Sequence, residues 1–390
     1  MLYRTPSRLP RAASLALLLL CGTALPALAL DGDDFATKLN AAYTAQGGEV
    51  TFAAIETDGS DITLKQTKFI AAGRPTMEVG DLIFEDVSET GDGGYTVELV
   101  TIADIDTTED GTRVQVTDIE LTGLKVPADP TAEGIDSILF YDGFSTGPVT
   151  VSKDNLDVFK LASADVDVSR MAGDSGFGIT LAVNGIAVDV KGIDDRKAQK
   201  TLNDLGFEKL NGSLVMDASW ELASGRLHVP EYALTLDDIG KLNITVDVSG
   251  YTMDFAKTMG EAQKAGSDKQ GMMMMGLMQQ LTFTSATISF DDASLTGRLL
   301  EYAGKQQGVT GAQMAQAAKG MLPLVVGQLG IPALQNQIIA AGNVYLENPK
   351  NLTVSAKPAS PVPFPQIMGA GMGDPRQLVD LLNVQITAND

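Results

Sequence analysis

Between residues 210 and 250, apolar and polar residues alternate with a period of two through three successive runs. Leu210, Gly212, Leu214, Met216, Ala218, Trp220 and Leu222 carry the first. Ser224 and Gly225 supply a turn. Leu227 and Val229 open the second run, Pro230 shifts its phase, and Tyr232, Leu234 and Leu236 continue it. Asp237, Asp238 and Gly240 turn the chain again, and Leu242, Ile244, Val246 and Val248 form the third run. Two-residue periodicity sustained through turn residues predicts an antiparallel meander with one buried face.

The same texture begins much earlier. Strand-like runs cover 50–55, 62–70, 76–87, 95–105, 112–126, 149–151, 156–168, 177–183 and 185–190, with breaks at clusters such as Asp58, Gly59, Ser60 and Glu109, Asp110, Gly111. The phase often slips by one. Val114 and Val116 agree, Ile119 and Leu121 switch, and Leu124 and Val126 switch back. Such slips predict bulges that bend and twist a sheet. Two short helices interrupt, at 33–46, where Phe35, Leu39 and Tyr43 fall four apart, and at 197–205.

After Gly250 the period changes. Helices are expected at 251–260, around the run Met272 to Met278, and at 295–307, 310–326 and 332–346, with a strand pair at 281–290 between them. Residues 321–334 are nearly all apolar but are broken by Pro323, Gly327, Gly330 and Pro332, which predicts a buried helical hairpin and not a membrane span. A strand at 352–356, a proline-rich link at 358–365, a helix at 375–382 and a strand at 384–387 close the chain. The fold class expected is mainly β, a β-rich α+β protein. A long curled antiparallel sheet carries C-terminal helices packed on it or capping it. The division expected is 1–29 as a leader, 30–250 as helix plus curled sheet, and 251–390 as a mixed region completing or capping that sheet.

The first 29 residues read as a cleavable signal peptide. Arg4, Arg8 and Arg11 precede an apolar stretch rich in leucine, and Ala27, Leu28 and Ala29 form an A-x-A site. Leu20 stands where lipidation of Cys21 needs a small residue. Cys21 is the one cysteine, so no disulfide remains after cleavage. A leader with a cysteine-free body points to a bacterial periplasm. Removing the three leader arginines takes the formal charge from −22 to −25. That balance opposes nucleic-acid binding and unaided adsorption to an anionic membrane.

Candidate chemistry is sparse. His228 is the one histidine, on a strand with its side chain opposite Leu227 and Val229. Gly143, Ser145 and Gly147 fit G-x-S-x-G, but Pro148 and the β-branched Val149, Thr150 and Val151 follow where a nucleophile elbow needs a helix. Gly173, Asp174, Ser175 and Gly176 read as a hairpin turn. One histidine without cysteine leaves no usual zinc set, and no cofactor motif is present. The methionine run is the most unusual local feature: Met272, Met275 and Met278 share a helix face. Three readings stand for it: core packing, an adaptable apolar surface for a ligand or partner, or a thioether site for Cu(I).

The segments "GSLVMDASWELASGRLHVPEYALTLDDIGKLNITVDVSG", "FDDASLTGRLLEYAGKQQGVT", "NLTVSAKPASPVPFPQI" and "LNVQITAND", in this order, resemble a group of uncharacterised exported proteins of alphaproteobacteria. The resemblance runs from about residue 206 to the end and implies an envelope location without a known activity. In texture the chain is similar to AsmA-like and YdgA-like envelope proteins, a resemblance that implies lipid or outer-membrane homeostasis but transfers no functional residue.

The expectation is therefore an exported, non-enzymatic periplasmic protein. Its apolar sheet face, with Trp220, Leu234 and Ile244, and its methionines Met272, Met275 and Met278 are the candidate surface for a lipid or other apolar envelope component. The alternatives are an envelope protein-interaction factor with a filled core, or a hydrolase using carboxylates or Ser145. The partner expected is a lipid or an envelope protein; no cofactor, metal or nucleic acid is expected, no segment specifies an oligomeric state, and no transmembrane segment remains after cleavage.

Overall fold

The computed structural model describes residues 30–390 other than 72–75, 133, 265–266 and 329. The signal peptide read at 1–29 lies outside the described residues. α1 (Gly32–Ala45) opens the fold. Its start is fixed by Asp31, whose carboxylate accepts from the backbone N–H groups of Asp33 and Asp34 at 3.1 and 3.0 Å. β1 (Gly48–Thr51) and β2 (Ala54–Asp58) then lie end to end along one side of β3 (Asp61–Ala71).

From β3 the chain runs as an antiparallel meander. β4 (Met77–Glu85) pairs with β6 (Tyr95–Ile102), and the short β5 (Ser88–Glu89) extends that pairing. The next strands come as broken pairs: β6 with β7 (Ile105–Glu109), β8 (Thr112–Val116) with β9 (Ile119–Val126), β10 (Gly143–Thr146) with β11 (Val149–Lys153), and β12 (Leu156–Leu161) with β13 (Ser163–Arg170). Each pair is one long strand interrupted in the middle, and the two halves meet corresponding halves of the neighbour. β14 (Gly176–Asp189) receives β13 and β12 along one side, and its own register slips between Val183 and Ile186.

The interruptions thus line up across five strands as a crease. Asp118 takes the left-handed conformation (φ 53°) that re-phases its strand, as does Gly185 (φ 63°), where a Cβ would stand 2.7 Å from the Ala162 methyl. The phase slip between Val116 and Ile119 is this crease.

After β14 come α2 (Arg196–Asp204), β15 (Lys209–Glu221), β16 (Arg226–Leu236) and β17 (Gly240–Ser249). The three strands form the meander expected from the alternation, with a bulge at Pro230 where Val229 and Tyr232 step past one another. α3 (Met253–Lys264) and α4 (Ser267–Met278) lead into β18 (Thr282–Asp292), which pairs along β17, so the sheet passes through Gly250 unbroken.

Three helices follow: α5 (Leu295–Gln307), α6 (Gly311–Gly327) and α7 (Pro332–Glu347). β19 (Asn351–Ala356) and β20 (Val362–Pro363) lie end to end beside β18. Then come α8 (Phe364–Gly373), α9 (Arg376–Leu381) and β21 (Val384–Ala388), which adds outside β19. The fold is mainly β. Its antiparallel sheet has 21 strand segments among the described residues and is not closed into a barrel.

β21 is an edge strand, and α7 covers it. The Gln337 side chain accepts from the Ile386 N–H at 2.8 Å and donates to the Val384 carbonyl at 3.2 Å. One amide thereby occupies the donor and acceptor that another strand would use.

Two local expectations are corrected. The stretch 321–334 forms a helical hairpin, but Met321, Leu324 and Val325 point outward and are exposed. Packing of α6 uses Ala315 and Val326, and Gly342 of α7 lets Leu322 approach closely, so the outer stripe has no partner. The proline-rich link holds β20 and the start of α8: Pro363 and Pro365 fall at the helix entrance, where no N–H is needed.

Candidate ligand-binding face

Successive residues of a strand point to opposite faces, so the register assigns each residue a side. One row crosses the whole meander on one face: Ile62, Phe84, Val100, Leu121, Phe144 and Val166. It continues through Leu181, Met216, Tyr232, Ile244, Ile288, Val354 and Ile386. Thirteen strands each contribute one large apolar residue, over roughly 58 Å at about 4.8 Å per strand. A second row beside it runs Val183, Leu214, Leu234, Leu242, Phe290 and Leu352.

The opposite face reads differently. Its matching row is Thr63, Ile83, Thr101, Glu120, Ser145, Asp165 and Ala182, then Val215, Ala233, Asn243, Ser289, Thr353 and Thr387.

Coverage of the apolar row changes along it. α1 seals the first part. Phe35 packs edge-on against Phe84 (4.9 Å between ring centres) and Tyr95 (5.3 Å), in a core with Ile62, Leu64, Leu82 and Val97. Ile62, Phe84 and Val100 are at most 3% exposed. From Leu121 to Met216 the row is half-buried, and towards the far edge it opens: Tyr232 is 39%, Ile288 50% and Val354 40% exposed.

Both ends of this open strip are walled. At one end α2 and α5 close over Leu210 and Leu236 through Leu205, Phe207 and Ile239. The Arg298 guanidinium sits 4.4 Å from the Phe207 ring centre and donates to the Leu205 carbonyl at 3.1 Å. At the other end an aromatic stack joins sheet to helix: Phe140, Phe177, Trp220, Tyr251 and Phe255, with centres 4.9 to 6.2 Å apart. The Trp220 indole N–H donates to the Tyr251 carbonyl at 2.6 Å.

Of the residues singled out in the sequence, Trp220, Leu234 and Ile244 therefore share the apolar face. Leu234 and Ile244 lie in its floor and Trp220 in its end wall. Met272 and Met275 do not join the core. They point outward from α4, which is anchored by Leu277, and Met278 is half-buried at its C-terminal end.

Ser145 and His228 are not brought together. Both lie on the polar face, Ser145 inside β10 and His228 on β16, four strand spacings or roughly 19 Å apart across the sheet and further separated along it, since the register places Ser145 in line with Ala233. His228 faces Asp247, Nδ1 to Oδ2 at 3.4 Å, without hydrogen-bond geometry. Asp247 is 5% exposed and is held by Arg226, whose Nε and Nη2 donate at 3.0 and 2.7 Å. That hydrogen-bonded guanidinium keeps the Asp247 carboxyl below the usual carboxylate range, against the opposing effect of burial. Glu221 engages Arg226 at 3.3 Å, completing a structural charge cluster on the outer face.

Among the described residues no three His, Cys, Asp or Glu side chains converge as a metal site, and no helix is long and apolar enough to cross a membrane. A cleft of about 530 Å³ between α8 and α9 is lined by Gln366, Gly369, Ala370, Asp374 and Leu381.

A protein-family model described as "Uncharacterized protein" matches residues 233–389. The matched span begins in β16 and contains the open strip from Leu234 to Ile386 together with α3 to α9. No curated protein matches the chain.

Sequence reasoning missed the length of the apolar row. The signal was present in each strand, but which residue stands beside which depends on pairing across the crease, and no local pattern states that register.

Proposed function

We propose that the protein is an exported, non-enzymatic carrier or holder of an acyl-chain lipid, with the open strip of the sheet as its seat. The observation that carries this reading is the apolar row, sealed by α1 at one end of the sheet and opening towards the far edge, where Tyr232, Ile288 and Val354 are exposed and Ile244 between them is half-buried. A face built only to close a core would be covered throughout, because leaving large aliphatic side chains in water forgoes about 1.5–3 kcal/mol for each one fully buried. The floor offers aliphatic and aromatic groups with one hydroxyl, that of Tyr232, which fits a hydrocarbon chain better than a sugar, nucleotide or peptide. From Met216 to Ile386 it is about 24 Å across, more than the roughly 15 Å depth of one leaflet's acyl layer. The leader pattern read at 1–29 supports export to the periplasm, where acyl chains crossing between membranes need cover from water.

The test is binding of a fluorescent fatty-acid probe. The wild-type chain is expected to bind it saturably, and the double variant Ile244→Asp/Ile288→Asp at least ~10-fold more weakly, since two carboxylates would stand in the hydrocarbon path. Equal binding by both proteins, with the variant folded by circular dichroism, sinks the reading.

A further inference from the structure

The strands β14 to β21 have two unlike ends. At the end where α2 and α5 sit, the turns and helix starts carry Asp194, Asp195, Asp204, Asp237, Asp238 and Asp292. The other end is defined by Ser249, Thr282 and Pro363, which lie side by side in the register. α3 and α4 span the gap between Ser249 and Thr282. α8 begins directly after Pro363, its Phe364 N–H donating to the Leu281 carbonyl at 3.0 Å. The turn between α6 and α7 belongs to this end too. Gln337, near the start of α7, bonds Val384 and Ile386, while its last turn meets Asn389 at the far end of β21.

Three separate segments thus converge at one end, and their composition departs from the rest of this acidic chain. Residues 270–290 and 358–373 carry no charged side chain, and 306–346 carry one, Lys319. Their apolar side chains are also the most exposed ones. Of the seven most exposed large apolar residues among the described residues, six stand here, from Met321 at 56% to Met372 at 90%; the seventh is Met77. The six are Met272 and Met275 on α4, Met321, Leu324 and Val325 on α6, and Met372 on α8.

We propose that this end is a membrane-docking rim that inserts shallowly into the interface of a phospholipid bilayer, bringing the Trp220 end of the apolar strip against the lipid. A protein partner of ordinary kind would meet polar and charged groups, at about one hydrogen bond per 100–200 Å². These stretches are instead acid-free and dominated by flexible methionine and aliphatic groups, which dissolve into a fluid apolar boundary without demanding one complementary shape. The formal charge of −22 would hold the molecule off an anionic surface if it were evenly spread. The three rim stretches themselves carry no acid, although Glu221, Asp254 and Asp374 stand near the same end, so that repulsion is lowered only where these stretches make the contact. Docking therefore depends on apolar insertion and not on charge attraction, and is as strong on zwitterionic as on anionic lipid.

The experiment is vesicle flotation with the chain from Leu30 on, which holds every described residue. The vesicles are pure phosphatidylcholine, or phosphatidylcholine with one-third phosphatidylglycerol, each at 50 and 500 mM salt. The wild type is expected to float with both, with less than a twofold change between salts. Leu324→Glu/Val325→Glu on α6, and separately Met272→Glu/Met275→Glu on α4, each lose at least tenfold of the bound fraction. All four sites are exposed, so circular dichroism and melting of these variants should match wild type. Failure of the wild type to float with either vesicle overturns the rim. So does flotation unchanged in both variants, or wild-type self-association that the variants abolish without any vesicle binding. Ile244→Asp/Ile288→Asp, altered only in the strip, should float normally. A protein that holds an acyl probe yet does not float would refute the rim and leave the lipid seat standing.

Discussion

At the scale of single residues, the Arg226–Asp247 pair shows how the polar face is held while the other face stays apolar. Asp247 points away from the apolar rows, and its carboxylate is held by the Arg226 guanidinium through two hydrogen bonds. Because its folded-state pKa is lowered, its contribution is fully present above the unfolded value of about 3.9 and is lost as pH falls through the lower, folded value. Asp247→Asn is expected to cost about 1.5–3 kcal/mol at pH 7. In urea melts the gap between wild type and variant should shrink progressively as the pH is lowered below about 4. A gap that persists there would show that packing, not the charged hydrogen bonds, carries the residue. Trp220 works on the same scale: its indole ties the sheet to Tyr251, so it closes an end of the strip instead of lining the floor.

At the scale of elements, α1 is the part of the fold that converts open sheet into core. Phe35→Ala removes the ring that lies between Phe84 and Tyr95 and is expected to cost about 3–5 kcal/mol in a denaturant melt. A cost below about 1 kcal/mol would mean that α1 is not a fixed lid. The helix itself was legible from Phe35, Leu39 and Tyr43 at fourfold spacing, as were the meander at 210–250 and the slip at Thr117 and Asp118. The outward stripe of α6 and the exposed methionines of α4 were not. A run of apolar residues looks the same whether a neighbour covers it or not, and coverage is decided by elements distant in sequence. For the same reason Leu234 and Ile244 could be placed on one face from their alternation, while their place in a thirteen-strand row could not. The helix α8 was hidden because Pro363 and Pro365 read as a link, although both occupy positions at the helix entrance that need no amide hydrogen.

At the scale of the whole molecule, the crease and the bulge at Pro230 break the register of a long open sheet, and α7 covers its β21 edge through Gln337. The sheet is therefore protected along β21 from pairing with another chain, yet left open on one face. Protection of the edge and exposure of the face are separate features of the sequence, and together they favour a small apolar occupant over strand-to-strand assembly. The acidic turns at one end and the uncharged stretches 270–290, 358–373 and most of 306–346 towards the other give the sheet two unlike ends, and a lipid seated on the open face would lie across Ile244 and Ile288 between the two walls.

The central claim is that the open strip holds a lipid. Native mass spectrometry of the protein recovered from the cells that make it, followed by organic extraction and lipid analysis, tests it most directly. The account predicts an added mass matching one or more acyl lipids, lost in Ile244→Asp/Ile288→Asp. A bare polypeptide mass under conditions that preserve known lipid complexes, with nothing in the extract, would contradict it.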